Sequence, residues 1–98
     1  MEYKNNSFYL LPKTPKEIGN LIAGRIRAIR KRRKLSQEKL SEKSGVSLGS
    51  LKRFERSGEI SFTSLIKIAI ALDVAADLEE LFKEIPYLSI KEMLNDKH

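Results

Sequence analysis

The residues of this sequence that are best suited to chemistry are the basic side chains between residues 24 and 56. This stretch holds twelve Lys or Arg residues and three Glu residues, a local net charge of +9, whereas residues 57–98 carry four Lys and eight Asp or Glu. Ammonium and guanidinium groups bind phosphate oxygens, and such an asymmetric distribution indicates one face that meets a polyanion. On charge alone, a basic helix that only keeps the chain in solution is the alternative.

Patterns for catalysis and for metal binding are weak by comparison. Two Ser-x-x-Lys tetrads, at 36–39 and 64–67, could pair a serine nucleophile with a lysine base, but both fall on predicted helices without companion motifs. The chain has no cysteine and its single histidine is His98. The four carboxylates between residues 73 and 80 lack the loop of a calcium site and are expected to form a solvated helix face. We therefore predict no enzyme activity, no metal site and no cofactor.

Local signals predict an all-α fold built from short helices. Serine and threonine cap helix N-termini, and glycine tolerates the left-handed conformation that ends helices. The candidate caps are Thr14, Ser36, Ser47 and Ser61 at N-termini and Gly45 and Gly58 at C-termini. The predicted helices are 15–33, 37–44, 48–56, 62–72 and 76–83, with a marginal terminal helix that Ser89 caps and that extends to about residue 95. Residues 7–11 could form a short strand.

Apolar residues recur on these helices at the three- and four-residue spacing of a buried face. The predicted inward positions are Ile18, Ile22, Ile26 and Ile29 on the first helix, Leu65, Ile68, Ala69 and Leu72 on the fourth, and Leu78, Leu81 and Phe82 on the fifth. Five helices around one core make a single domain, for which we predict the bounds 14–84, with an N-terminal extension at 1–13 and a C-terminal tail at 85–98.

The stretch 37–54 has the residue types of two helices packed at a sharp angle. Ser41 is small enough for the helices to approach, and Gly45 stands at the turn between them. The apolar contacts are expected from Leu40, Val46, Leu51 and Phe54. In such a helix-turn-helix the second helix projects its other face outward, where it can enter the major groove of DNA.

These residues resemble the lambda-repressor-like (Cro/cI, or XRE) helix-turn-helix family over roughly residues 18–82. The matching stretch reads RIRAIRKRRKLSQEKLSEKSGVSLGSLKRFERSG followed by SFTSLIKIAIALDVAADLEELF. The resemblance implies a five-helix DNA-binding bundle. It also implies an internal ion pair between Arg30 and Glu55, and a contact from Gln37 to a DNA phosphate. The sequence departs from the family at Lys34, where glycine is frequent, so the first helix either ends differently or this lysine adopts a left-handed conformation.

The resemblance also assigns the DNA-contacting positions. Residues expected at base edges are Ser47, Leu48, Gly49, Lys52 and Arg53, and residues expected at phosphates are Gln37, Lys39, Arg56 and Ser57. Leu48 could pack on a thymine methyl group, and Arg53 could bond bidentately to guanine or instead contact a phosphate. Leu48 and Gly49 replace hydrogen-bonding residues that the family often uses, so DNA shape is expected to supply part of the specificity. A solvated surface is the alternative for Lys39.

The expected function is sequence-specific regulation of transcription on double-stranded DNA. Family members bind near-palindromic operators as two-fold dimers, which predicts a repressor that occludes a promoter. We expect the homodimer to form through an apolar surface on the fourth and fifth helices, near Ile70, Val74 and Leu78.

The alternative function is that of an antitoxin that neutralises a toxin protein and represses its own operon, similar to the HipB-like members of the family. The tail at 85–94 is apolar enough to dock on such a partner, as is the N-terminal segment 8–11. Equally, Tyr87, Leu88, Ile90 and Leu94 could pack on the core of their own chain.

The sequence favours a cytoplasmic protein, associated with the nucleoid when it binds DNA. No apolar run approaches the roughly 18 residues that span a bilayer. The first residues lack the pattern of a signal peptide. No membrane partner is expected.

Overall fold

The computed structural model describes residues 13–86 and 90–96. Its helices are α1 (Pro15–Arg32), α2 (Gln37–Ser44), α3 (Leu48–Ser57), α4 (Phe62–Ala71), α5 (Ala75–Glu79) and α6 (Ile90–Asn95). These described ranges contain helices, turns and loops but no strand, and the all-α prediction is confirmed. The strand predicted at 7–11, most of the predicted N-terminal extension, and the predictions for Tyr87, Leu88 and Ser89 lie outside the described residues.

The predicted capping residues set the helix ends. Thr14 and Glu17 form a reciprocal capping box on α1, in which the Glu17 N–H donates to Thr14 Oγ1 (3.1 Å) and the Thr14 N–H donates to Glu17 Oε1 (2.8 Å). The serines before α2, α3 and α4 each accept a hydrogen bond from a backbone N–H three residues later: Ser36, Ser47 and Ser61. Because these bonds satisfy amides that have no partner within their helix, short-range sequence marks where these four helices begin.

The junction between α1 and α2 depends on a left-handed lysine. Lys34 adopts φ = +60°, the second of the two outcomes expected from the missing glycine, and α1 ends at Arg32. The Leu35 N–H then donates to the Arg30 carbonyl oxygen at 3.2 Å, which closes the turn. A side chain in this region costs about 1 kcal/mol relative to glycine.

One core joins the first four helices. Its buried members are Ala23, Ile26, Leu40, Val46, Leu51, Phe54, Ile68, Ala69 and Leu72. The core positions predicted within the helix-turn-helix are all among them. On α1 the predicted stripe is only partly buried, because Ile22 and Ile29 are half-buried and Ile18 is exposed. The stripe therefore extends beyond the core at its N-terminal end.

The fifth helix is shorter than the prediction of 76–83. It ends at Glu79, and Leu81 and Phe82 are exposed instead of facing inward, Phe82 at 92%. Residues 80–82 form turns, and Phe82 adopts φ = +55°. The apolar periodicity continues past Leu78, but the helix does not. The N-cap residue, Val74, makes no side-chain hydrogen bond to this five-residue helix, and helices this short have little stability of their own.

The predicted terminal helix is present as α6, but it does not join the core. Its apolar residues Ile90 and Leu94 are each 72% exposed, so for these two residues the alternative of packing on the core of their own chain is wrong. In the part of the chain that the structure describes, no helix is both long enough and apolar enough to cross a membrane.

Candidate nucleic-acid interface

Hydrogen bonds hold the turn between α2 and α3 in one conformation. The Ser41 hydroxyl donates to the Val46 carbonyl oxygen at 2.6 Å, and the Val46 N–H donates to Ser44 Oγ at 3.1 Å. Gly45 adopts the predicted left-handed conformation with φ = +77°. Serine at position 41 therefore does more than permit close approach of the helices, because its hydroxyl satisfies a backbone carbonyl inside the turn.

A buried ion pair connects α1 and α3. Arg30 is 7% exposed and donates from Nε to Glu55 Oε2 (2.8 Å) and from Nη2 to Glu55 Oε1 (3.0 Å). The same guanidinium donates from Nη1 to the Leu35 carbonyl oxygen at 2.8 Å. The ion pair that the family resemblance implied is thus confirmed. The two-bond geometry fixes the angle at which α3 leaves the body of the molecule.

Glu55 remains ionised because its partners outweigh its burial. Burial tends to raise the pKa of Glu55, but hydrogen bonds from Arg30 and Gln37, together with the positive charges of Arg30 and Arg27, lower it below its ordinary value. Arg27 lowers this pKa through its positive charge, since its Nε lies 3.9 Å from Glu55 Oε1. A buried carboxylate with this many donors is stable as an anion.

Gln37, expected at a phosphate, has an internal partner as well. Its Nε2 donates to Glu55 Oε1 at 2.9 Å, and the residue is half-buried. A side-chain amide carries two N–H donors, so this bond leaves a second donor for a phosphate oxygen. Glu55 therefore orients the Gln37 amide at the N-terminus of α2, a role that sequence reasoning did not assign.

The exposed face of α3 carries its basic residues. Gly49, Lys52, Arg53 and Arg56 are all exposed, and their spacing of three, one and three residues sets them on one side of the helix. The buried positions Leu51 and Phe54 face the opposite side. The helix thus presents cations outward while its apolar side packs on the core.

The other predicted contact residues are partly buried or have partners within the protein. Leu48 is half-buried at the first position of α3. The Ser47 hydroxyl accepts the capping bond and donates to Ser50 Oγ at 2.9 Å, and the Ser57 hydroxyl donates to the Arg53 carbonyl oxygen at 2.8 Å. Lys39 is exposed, with its Nζ 3.5 Å from Glu42 Oε1. All nine predicted residues lie within or directly before α2 and α3, but the two serine hydroxyls already have structural partners.

Sequence reasoning missed the partner of Arg53. Its Nη2 donates to Glu59 Oε1 at 2.5 Å, and both side chains are mostly exposed. Helical spacing gives no signal for this pair because Gly58, with φ = +81°, ends α3 and redirects the chain between them.

A bundle in which two helices meet at a tight turn, the second with a cationic outward face, is the architecture of a DNA-binding protein. The model of a protein family described as helix-turn-helix matches residues 26–78, more than half of the chain. The chain belongs to this family, and it is a lambda-repressor-like DNA-binding protein of the kind that regulates transcription. No curated protein matches the chain.

Proposed function

We propose that the protein represses transcription by binding a near-palindromic operator as a homodimer and occluding a promoter. The observation that carries this proposal is the outward face of α3, where Lys52, Arg53 and Arg56 lie on a helix that the Glu55 hydrogen bonds hold at a fixed angle. A rigid helix of this kind can read base edges, because its side chains enter the groove without reorganisation of the backbone.

Within that groove the side chains divide between base and phosphate contacts. Arg53 reads guanine and Leu48 packs on a thymine methyl, while Ser47, Gly49 and Lys52 lie against neighbouring base edges. Gln37, Lys39, Arg56 and Ser57 contact phosphates and set the register. For Ser57 this contact goes through a water molecule that donates to both Ser57 Oγ and the phosphate, since the hydroxyl hydrogen is donated to the Arg53 carbonyl oxygen. The few direct readers leave DNA shape to contribute to specificity.

Dimerisation uses an apolar groove between α4 and α5. The groove is lined by Phe62, Ile66, Ile70, Ala75 and Leu78 together with Glu79. Phe62 and Ile70 are each 63% exposed, an exposure that association with a second copy would remove. Two copies related by a two-fold axis would present their α3 helices to successive major grooves, about 10 base pairs apart. As a DNA-bound regulator, the protein acts in the cytoplasm at the nucleoid.

The direct test is fluorescence anisotropy on DNA from upstream of the protein's own gene and on scrambled DNA, from about 50 to about 300 mM salt. We expect a clear preference for the promoter DNA and a decrease in affinity on both DNAs as salt increases. The Arg53→Ala substitution should weaken the binding free energy by about 1–3 kcal/mol on the promoter DNA and by much less on the scrambled DNA. Lys39→Ala serves as the matched control and should weaken binding to both equally. Equal affinity of the unaltered protein for both DNAs would reject sequence-specific repression.

The exposed tail supports a second candidate, an antitoxin similar to the HipB-like proteins. Ile85 is 80% exposed, and the apolar residues of α6 face solvent, so this segment is available to a toxin protein. A pull-down from the native host should then recover a partner with the full chain and lose it with a chain that ends at Glu84. Recovery of the same partner by both chains would exclude the tail as its binding site.

A further inference from the structure

We propose that Glu59 is a positioning residue that aims Arg53 at guanine, and that it thereby contributes to the DNA specificity of the protein. The proposal rests on the proposed base-reading function of Arg53. Its basis is the ion pair between these two residues at the point where α3 ends and the chain turns into α4.

The backbone that carries Glu59 is held from both sides. On one side stands Gly58, whose Cα packs so closely on α1 that an added Cβ would lie 2.6 Å from the Gly19 carbonyl carbon and 2.7 Å from the Asn20 nitrogen. On the other side Ile60 packs against the core, and Ser61 caps α4. The backbone of Glu59 therefore has a fixed position, although its side chain is exposed.

The pairing leaves Arg53 competent to read a base. A guanidinium has five N–H donors, and two of them belong to Nη2. Glu59 can accept the Nη2 hydrogen that lies beside Nε, and Nη1 and Nη2 then still offer two parallel N–H donors. If Glu59 accepts the other Nη2 hydrogen, Nε and Nη2 offer two parallel donors instead. Either edge matches the O6 and N7 acceptors of guanine. Glu59 thus restrains the long side chain without consuming the edge that reads the base.

The same carboxylate disfavours non-specific contact. A guanidinium restrained by Glu59 is less free to move to the nearest phosphate, and the negative charge of Glu59 repels the DNA backbone on every sequence. Among the base edges of the major groove, only that of guanine offers two acceptors to the Arg53 guanidinium. Glu59 consequently lowers the affinity for random DNA more than it lowers the affinity for the operator.

The test compares Glu59→Gln with Glu42→Gln, which removes the same charge from another exposed pair of the helix-turn-helix, that of Lys39. Binding sites are first selected from a random DNA pool with the unaltered protein, and affinities are then measured on the selected and scrambled DNAs. We expect Glu59→Gln to lower the ratio of the two affinities about threefold or more, while Glu42→Gln increases both affinities and leaves the ratio unchanged. In an Arg53→Ala background, Glu59→Gln should no longer change the ratio. An equal ratio for the two glutamine variants would overturn the proposal.

A measurement without DNA separates this proposal from the function on which it rests. NMR relaxation of the Arg53 Nε–Hε group should show a restrained side chain that becomes mobile in Glu59→Gln but not in Glu42→Gln. If the random pool yields no preferred site, the base-reading function fails while the relaxation data still decide whether Glu59 orders Arg53. An Arg53 side chain that is equally mobile in all three proteins would overturn the positioning role directly.

Discussion

Among single residues, Glu55 is a buried carboxylate held between helices. Its side chain is 4% exposed, and it accepts hydrogen bonds from Arg30 on α1 and Gln37 on α2. A buried charge is tolerated only when its partners replace the lost hydration. Here those partners come from separate helices, so the carboxylate also fixes how the helices are arranged.

Glu55→Gln should therefore destabilise the fold. The neutral amide leaves the buried Arg30 guanidinium without a counter-charge, and we expect the free energy of unfolding to decrease by about 3 kcal/mol at neutral pH. Urea denaturation followed by circular dichroism measures this change. Glu42→Gln, in an exposed pair, is the control and should change stability by less than about 0.5 kcal/mol.

The pH dependence gives an independent check on the same residue. Because the pKa of Glu55 is lowered in the folded state, its stabilisation is complete above the carboxylate's unfolded pKa of about 4.3 and is lost as the pH falls through the lower folded value. Stability curves of the unaltered protein and of Glu55→Gln should converge below that range. Curves that stay parallel down to the acid limit would contradict an ionised, stabilising Glu55.

At the level of secondary-structure elements, the approach of α1 to the turn after α3 is the tightest backbone contact that involves a glycine. A Cβ on Gly19 would lie 2.8 Å from the Gly58 carbonyl oxygen, and Gly58 needs its positive φ to end α3. Neither neighbour is a flexible side chain that could move aside. The contact sets the position of α3 relative to α1 and so belongs to the support of the DNA-binding face.

Gly19→Ala should be destabilising even though alanine is the better helix former. The added methyl group forces two backbone segments apart, and we expect a loss of about 1–3 kcal/mol in the free energy of unfolding. Gly24→Ala on the same helix is the matched control, because a Cβ there meets nothing within 4 Å. That variant should gain up to about 1 kcal/mol from helix propensity. Thermal unfolding of the two variants should shift in opposite directions; shifts of the same sign would refute the steric argument.

At the scale of the whole molecule, the main cationic surface and the apolar groove lie on different helices. The basic residues concentrate on α1, α2 and α3, while the apolar groove is formed by α4 and α5. A dimer through the groove would leave the basic faces available to DNA. Self-association and DNA binding are therefore expected to reinforce each other, since each half of a palindrome is contacted by one copy.

Ile70→Glu should abolish the proposed dimer. A carboxylate in the centre of the groove would have to lose its hydration on association, so we expect sedimentation of the variant to show monomer at micromolar concentrations where the unaltered protein shows dimer. Operator affinity should decrease together with the dimer. Ala28→Glu, at an exposed position of α1, is the control for association. If the unaltered protein sediments only as a monomer, with and without DNA, the dimer proposal is wrong.

Local sequence was enough to determine most of the fold. Capping serines and left-handed glycines act within three or four residues of the chain, and the core positions of the helix-turn-helix follow from helical spacing. The ion pair of Arg30 with Glu55 came from the family resemblance, not from spacing. The candidate DNA-contacting residues came from the same resemblance, and their individual roles remain predictions.

Other features of the protein were decided only by the tertiary structure, because they depend on which segments of the chain meet in space. The early end of α5 and the exposure of Leu81 and Phe82 are examples, because periodicity along the chain does not reveal them. The bond from Gln37 to Glu55 and the pair of Arg53 with Glu59 join residues on opposite sides of a turn. The sequence by itself thus predicted the first four helices, the core positions of the helix-turn-helix and the basic region, because caps act over short range and apolar spacing marks the buried face. The partners of the polar side chains were decided by packing, because hydrogen bonds need atoms brought within about 3 Å of each other.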